Sequence, residues 1–507
     1  MRRGIPYGVP RHFLYHAEGH MKYILGIDQG TTQTTAVVVD ENASFVEKNS
    51  VPLPARFPSP GWVEQEPSDI VRTVKEAVAP LIEKYDIAAV GFDNQGETFV
   101  VWDNETGEPL TPAIVWQDKR GVEVCEAIAG DVDNDALRQK TGLILDSYFS
   151  APKFRYAWEH DPKLKAAIES GRARFGTTET WVIWNLSNRQ LHVTDPSTAS
   201  RTLLFDVNTL DWDDDLLSLF GATRTLLPEI VPSAGYVGDL DFGNGRLLPL
   251  HALLVDQQAA LFGQACFKPG EMKCSFGTGS FLLMNIGREM RLSNNGLLTT
   301  MAWHWGEATA YALDGGIFVT GAAVQWLTES LHFLSSPTES ADVATQSKDG
   351  DVVVVPALQG LAAPHWLSDV RGAMFGLSRG SQPADIVRAT LDGIAFRVFE
   401  VVNAMAQDAG QPPASLKVDG GPSENPYLMQ YIADLLNIEV RVSAAREATA
   451  IGIANLAAHS ALGISLETLA ERWQSEAVYY PKIDETERQH RLAKWNKALE
   501  AVKMYHN

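Results

Sequence analysis

The stretch Tyr23-Ile24-Leu25-Gly26-Ile27-Asp28-Gln29-Gly30-Thr31-Thr32, followed by Thr35-Ala36-Val37-Val38-Val39, decides the fold. Its apolar arms read as strands and its Gly-Thr centre as a tight turn, so the chain opens on a β-hairpin. About 250 residues later the pattern returns as Met272-Lys273-Cys274-Ser275-Phe276, then Gly277-Thr278-Gly279-Ser280, then Phe281-Leu282-Leu283-Met284-Asn285. A glycine turn lets backbone N–H groups converge on phosphate oxygens with no Cβ in the way, and threonine hydroxyls can donate to the same oxygens. Two such turns, one per half, point to a nucleotide held from both sides. Neither ends in Lys-Ser/Thr as a Walker loop does, and neither is a Gly-x-Gly-x-x-Gly turn opening a helix. Alone, a Gly-Thr turn is ordinarily no more than a hairpin turn. The reading depends on the motifs around it.

Strand and helix patterns alternate beyond each hairpin, which argues for α/β architecture. A helix is expected over residues 68–84, with Ser68 able to cap it and Ile70, Val74, Val78, Leu81 and Ile82 on its apolar face. Ile87-Ala88-Ala89-Val90-Gly91-Phe92 then reads as a buried strand. A second helix is expected over about 385–407, with Asp385 near its positive end. Leu416-Lys417-Val418-Asp419 runs as a strand into Gly420-Gly421. The repeated unit is half the molecule. We place the boundary just before Lys268-Pro269-Gly270, giving domains 21–265 and 266–507 with both Gly-Thr turns facing a cleft between them.

With 507 residues, 45% of them hydrophobic, the chain can bury more than one core. A net charge of -21 opposes binding to nucleic acid and to anionic membranes. An anionic nucleotide would then be held by local amides, a few placed cations and Mg2+. Three cysteines without Cys-x-x-Cys spacing suggest neither a zinc site nor a disulfide framework, and fit a reducing cytoplasm. Residues 1–20 lack the uninterrupted apolar core of a signal peptide and are expected to stand outside the fold, with Met21 as the natural start. No apolar run is long enough to span a bilayer.

An ordered series of blocks carries a family resemblance. These are Asp28-Gln29-Gly30-Thr31-Thr32, Pro60-Gly61-Trp62-Val63-Glu64, Ile114-Val115-Trp116-Gln117, Asp256-Gln257-Gln258-Ala259-Ala260-Leu261-Phe262-Gly263-Gln264, Gly277-Thr278-Gly279, Asn295-Gly296-Leu297-Leu298-Thr299-Thr300, a signature from Gly372 to Asp392, and Asp419-Gly420-Gly421. From Met21 to its end the chain resembles the FGGY carbohydrate kinases, and is most similar to their glycerol-kinase branch. The resemblance implies an actin-like ATPase fold, two RNase H-like domains with a central nucleotide and substrate cleft. It implies ATP-dependent phosphorylation of a small polyol, with glycerol to glycerol 3-phosphate as first choice, in a cytoplasmic homo-oligomer. By the same resemblance Asp256 is the general base and Asp28 helps hold Mg2+. Thr31, Thr32, Gly277 and Thr278 contact phosphates, Gly421 and Asn425 line the nucleoside end, and Glu97, Trp116, Tyr148, Asp256, Gln257 and Phe281 contact the polyol. Carboxylates and an amide suit hydroxyls, and aromatic rings suit the C–H face. Read on its own, Asp28 is a hairpin carboxylate satisfied by turn amides, Asp256 a helix N-cap, and Trp116 and Phe281 core aromatics.

Four positions depart from the pattern of glycerol kinases. Gly96 stands where they carry an arginine, which would remove a hydroxyl anchor and open space beside Glu97. Another short sugar alcohol or a ketose (erythritol, threitol, xylitol, xylulose) is therefore the alternative acceptor, and a non-catalytic sensor on the same fold a more distant one. Thr35 also replaces an arginine, Val255 replaces a glycine before Asp256 and could tighten the turn there, and Tyr156 replaces a tryptophan as a packing swap. The loop around Gly243-Asn244-Gly245-Arg246 does not align cleanly with the family.

Overall fold

Tyr23–Gln29 pairs antiparallel with Gln33–Asp40, which pairs with Phe45–Pro52, so the opening hairpin is followed by a third antiparallel strand. On its other side Tyr23–Gln29 runs parallel to Ile87–Asn94, and that strand runs parallel to Leu247–Val255. Ala234–Asp241 completes a six-stranded sheet at the edge. These relationships come from a computed structural model that describes residues 21–348 and 350–506. The expectation for residues 1–20 lies outside the described residues.

The second half repeats the connectivity. Met272–Phe276 pairs antiparallel with Ser280–Gly287, which pairs with Ala308–Ile317, while its other neighbour is the parallel strand Ser415–Asp419, followed by the parallel Glu439–Ser443. Edge strands Leu298–Trp305 and Ser475–Tyr479 bring this sheet to seven. The α/β fold with duplicated sheets is the one expected. In the first sheet the parallel strands end on one side, where Asp28 pairs with Asp93 and Asp93 with Leu254, one residue before Val255, and ligands of open α/β sheets bind at those carboxyl ends.

The halves interlock through the helix that follows the last parallel strand of each. Asp256–Gly263 and Ala448–Leu462 cross so closely that a Cβ on Gly452 would stand 2.0 Å from Ala259 O, and one on Gly263 2.0 Å from Ala448 O. Ala448–Leu462 belongs by sequence to the second half but lies on the first sheet, where a Cβ on Gly26 would meet Ala450 O at 2.2 Å. One core consequently spans both sheets, joining Ile24, Val37 and Leu254 to Phe262, Leu283, Ala312 and Ile453.

The first expected helix is Pro67–Lys84 and buries Ile70, Val74, Val78, Leu81 and Ile82 as its period requires. Ser68 does not cap it. Pro67 takes the first helical position, where its missing N–H costs nothing, and the N-cap is Glu66, without a side-chain capping bond. The long helix Pro383–Ala409 is capped by a reciprocal pair, Gln382 with Asp385. Among the described residues no helix is long and apolar enough to cross a membrane.

Candidate active site

A cavity of about 140 Å³ opens where the strand ends of the two halves meet. Of the residues singled out from sequence, Thr31, Glu97, Trp116, Tyr148, Asp256, Gln257 and Phe281 line it together; Gly96, Arg201 and Asp314 complete its chemistry. Two larger grooves, one along His365, Phe399 and Asn403 and one along Arg388, Tyr427 and Arg491, gather none of these groups.

Glu97 enters the cavity from a strained turn. Thr98 N donates to Gly96 O at 2.7 Å, and Glu97 sits at φ 60° in the left-handed region. Ser150 Oγ holds the turn by donating to Glu97 O at 2.8 Å. The Glu97 carboxylate receives Arg201 Nε at 2.7 Å, and the same guanidinium gives Nη1 to Asp314 Oδ2 at 2.9 Å. Burial raises the Glu97 carboxyl to about 7 against the pull of Arg201, which has a second carboxylate to serve.

Three rings wall one side. Trp116 meets Tyr148 at 5.7 Å and Phe281 at 6.1 Å between centroids, both edge to face. The Trp116 indole N–H donates to Thr31 Oγ1 at 2.9 Å, tying the aromatic wall to the first Gly-Thr turn. Buried Lys153 fastens the chain behind the rings by donating to the carbonyls of Trp116, Ser147 and Tyr148. Its amine is lowered to about 8 by burial. The turn itself is braced from beneath, with Gln65 Nε2 donating to Thr31 O at 2.6 Å and Gln95 Nε2 to Gln65 Oε1 at 2.9 Å.

Asp256 is the first residue of its helix, with Val255 at the N-cap position. Asp256 Oδ1 accepts from Gln257 N at 2.7 Å, and Oδ2 lies 3.4 Å from Gln257 Nε2. Burial raises this carboxyl above its ordinary value; the Gln257 N–H and nearby Lys273 oppose the shift. Asp28 is raised to about 7 by burial and then by the charge of Asp256. Asp93, its register partner, is fully buried, and burial followed by the charges of Asp28 and Asp256 pushes its carboxyl well above its ordinary value, toward the form that shares its proton with Asp28.

Thr32 follows Thr31 in the first turn, and the other expected nucleotide residues, Gly277, Thr278, Gly421 and Asn425, form a second cluster outside the cavity wall. Gly277 O accepts from Gly321 N at 3.0 Å, and Thr278 O from Thr320 N at 2.9 Å, so the Gly-Thr-Gly turn is bound to the start of helix Gly321–Glu329. The Asp419-Gly420-Gly421 turn lies against it, since a Cβ on Gly420 would stand 1.9 Å from Phe276 O. Thr32, Gly277, Thr278 and Gly421 are exposed. Asn425 is committed to the fold: its Oδ1 caps Leu428 N at 2.9 Å and its Nδ2 donates to Ser340 Oγ at 3.0 Å.

Sequence reasoning missed Arg201, Asp314, Lys273 and Asp93. The available signal was a charge inside an apolar strand, as in Met272-Lys273-Cys274 and Leu313-Asp314-Gly315, where burial demands a partner.

The profile of the FGGY family of carbohydrate kinases, N-terminal domain, matches residues 23–263, and that of the C-terminal domain matches 272–461. The chain belongs to the FGGY family of carbohydrate kinases. It is 41% identical to the glycerol kinase of Limosilactobacillus reuteri over 96% of this chain and 99% of that protein. It is 42% identical to glycerol kinase 2 of Thermotoga maritima, over 94% and 98%. The crystal structure of Plasmodium falciparum glycerol kinase with ADP superposes with a TM-score of 0.89 at 35% identity, covering 96% of this chain and 99% of that one. This FGGY kinase is an ATP-dependent carbohydrate kinase of glycerol kinase-like type on the two-domain actin-like ATPase fold.

Two of the kinase's departures prove to be one. A Cβ on Gly96 would meet Val255 Cγ2 at 3.0 Å and Arg201 Cγ at 3.9 Å. The first carbon of a side chain at position 96 would press on the Val255 methyl, while Gly96 itself lines the cavity beside Glu97. Thr35 is buried and pairs with Ser50 across the sheet at 3.0 Å. Tyr156 packs edge to face on Trp62 and stacks on His160, in keeping with a packing swap.

Proposed function

We propose that this FGGY kinase transfers the γ-phosphoryl group of ATP to a terminal hydroxyl of a small polyol, with glycerol as first acceptor and glycerol 3-phosphate as product. The observation that carries this is the meeting of Asp256 and Gln257 with the Glu97–Arg201–Asp314 network and three aromatic rings in one small cavity beside the Thr31 turn. Relatives of 41–42% identity named glycerol kinase support the choice of glycerol.

In this reading Asp256 is the catalytic base, and takes the proton of the attacking hydroxyl. Glu97 accepts from a second hydroxyl while Arg201 holds its carboxylate, and Trp116, Tyr148 and Phe281 cover the C–H face. Thr31 Oγ1 accepts from Trp116, which turns its own O–H toward a phosphate. Thr32, Gly277 and Thr278 take the remaining phosphate contacts, Gly421 borders the nucleoside, and Asn425 shapes that end as a cap. Domain 21–265 then binds the polyol and first phosphate turn, and domain 266–507 the nucleotide. Positioning and charge stabilisation carry most of the rate in phosphoryl transfer, with a base as a modest addition.

Mg2+ is bound by one or two carboxylates plus substrate phosphates. Asp28, with the buried Asp93 carboxyl beside it, fits that requirement, although among the described residues no group of three or more His, Cys, Asp or Glu could hold a metal unaided. When bound, Mg2+ would neutralise charge on the phosphates. The three unpaired cysteines and the net charge of -21 suit a cytoplasmic enzyme; its being a homo-oligomer rests on the family resemblance.

A second reading, a four- or five-carbon acceptor, is favoured by one observation, the absence of a side chain at Gly96 in the cavity wall beside Glu97. A screen of ADP release with glycerol, erythritol, threitol, xylitol and xylulose decides between them. Highest kcat/KM with glycerol is expected. Preference for a longer acceptor transfers the proposal to the second reading, and turnover with none of them rejects both.

A further inference from the structure

Lys273 sits in the strand Met272–Phe276, in the half opposite Asp256 and Gln257, and is wholly buried. Its Nζ reaches across to donate to Gln257 Oε1 at 2.5 Å, and also meets Ser275 Oγ at 3.1 Å. Burial lowers its pKa, but Asp419, Asp256 and Asp314 surround it and favour the ammonium.

An ammonium has donors and no acceptor. If the Gln257 amide were turned end for end, its NH2 would face the NH3+, donor against donor, in a buried site where an unmade hydrogen bond is costly. Lys273 therefore selects one orientation of the amide. In that orientation Nε2 is on the side of Asp256, 3.4 Å from Oδ2, in the wall of the cavity.

We infer that Lys273 is a positioning residue that fixes Gln257 as a hydrogen-bond donor to the acceptor hydroxyl, so that the hydroxyl's own proton goes to Asp256. A hydroxyl has one hydrogen and two lone pairs. With Gln257 donating to one lone pair and the hydrogen directed at the carboxylate, the second lone pair is left for phosphorus. Lys273 and Gln257 come from different halves, so this orientation depends on the halves being together. The inference rests on the polyol-kinase reading above.

The test is a double-mutant cycle on the full chain, reading kcat and KM for the preferred polyol and for ATP in wild type, Lys273→Met, Gln257→Ala and the double variant. Lys273→Met is expected to lower acceptor kcat/KM about tenfold or more, the scale of a hydrogen bond involving a charged group, with KM for ATP within about twofold. In the Gln257→Ala background the same substitution is expected to cost less than about threefold. Equal losses in the two backgrounds, or a matching rise in KM for ATP, overturn the inference. Should Lys273→Met not fold, Gln257→Glu keeps an oxygen for Lys273 and removes the donor; it is expected to lose acceptor kcat/KM by about tenfold or more with a near wild-type melting midpoint. Wild-type acceptor kinetics in Gln257→Glu overturn the inference. A wild type that phosphorylates no polyol overturns the functional reading and this inference with it, whereas additive losses in an active enzyme overturn this inference alone.

Discussion

Gly96 and Val255 share one volume: a Cβ on the glycine would stand 3.0 Å from Val255 Cγ2, beside the Glu97 carboxylate. Installing the arginine of glycerol kinases at position 96 without changing Val255 forces an overpacked wall. Gly96→Arg alone is expected to lower kcat/KM for every acceptor. Gly96→Arg with Val255→Gly is expected to recover activity and to shift preference toward glycerol over longer polyols by roughly tenfold, the scale of one charged hydrogen bond. Steady-state kinetics across the acceptor series check this; an unchanged ranking in the folded double variant would show that the pair does not govern choice of acceptor.

Glu97 supplies a pH dependence with a defined sign. Its pKa is raised by burial to about 7, so below that pH it gains a proton and becomes a neutral, weaker acceptor for a polyol hydroxyl. Acceptor KM is expected to rise as pH falls through about 7. In Glu97→Gln the KM should be high and nearly level from pH 6 to 8. A wild-type KM that is level across this range would mean that Arg201 keeps Glu97 ionised throughout.

The crossing of the two interlocking helices leaves no room for a side chain at Gly452, whose Cβ would lie 2.0 Å from Ala259 O. Gly452→Val is expected to lose about 1–3 kcal/mol or more through overpacking, read as a lowered melting midpoint. Gly130→Ala, with nothing within 4 Å of the added Cβ, is the control and should melt near wild type.

Asp28 is proposed to hold Mg2+, and Asp28→Ala should raise the free Mg2+ needed for half-maximal rate by roughly tenfold or more, the range seen when metal-site carboxylates are disturbed. Titration of activity against free metal at saturating ATP reads this. An unchanged requirement would move the metal to other groups.

The fold was legible because its signals are local. Alternating and continuous apolar runs on either side of a Gly-Thr turn specify a hairpin wherever they occur, and two copies specify a duplicated α/β plan. Thr31, Glu97, Trp116, Tyr148, Asp256, Gln257 and Phe281 are singled out through the family resemblance, and they do line one cavity. Asp314 carried only the hint of a charge inside an apolar strand, and Arg201 carried none, because its partners lie 104 and 113 residues away and no local pattern says which distant segments an ion pair joins. The crossing of Ala448–Leu462 onto the first sheet was hidden for a related reason. Gly26, Gly263 and Gly452 each look like a weak point in a strand or helix, and their common purpose is visible only once two backbones touch. That a Cβ at Gly96 would press on Val255 was hidden as well, because volume is a property of neighbours and Val255 is a neighbour only in three dimensions.

The central claim is that Asp256 accepts the proton of a polyol hydroxyl as ATP is cleaved, and Asp256→Asn tests it most directly. The amide keeps the shape and cannot take the proton. With glycerol and ATP saturating, the variant is expected to release ADP roughly 10²–10⁴ times more slowly than wild type while binding ATP as tightly in calorimetry. Wild-type turnover by a correctly folded Asp256→Asn would contradict the account.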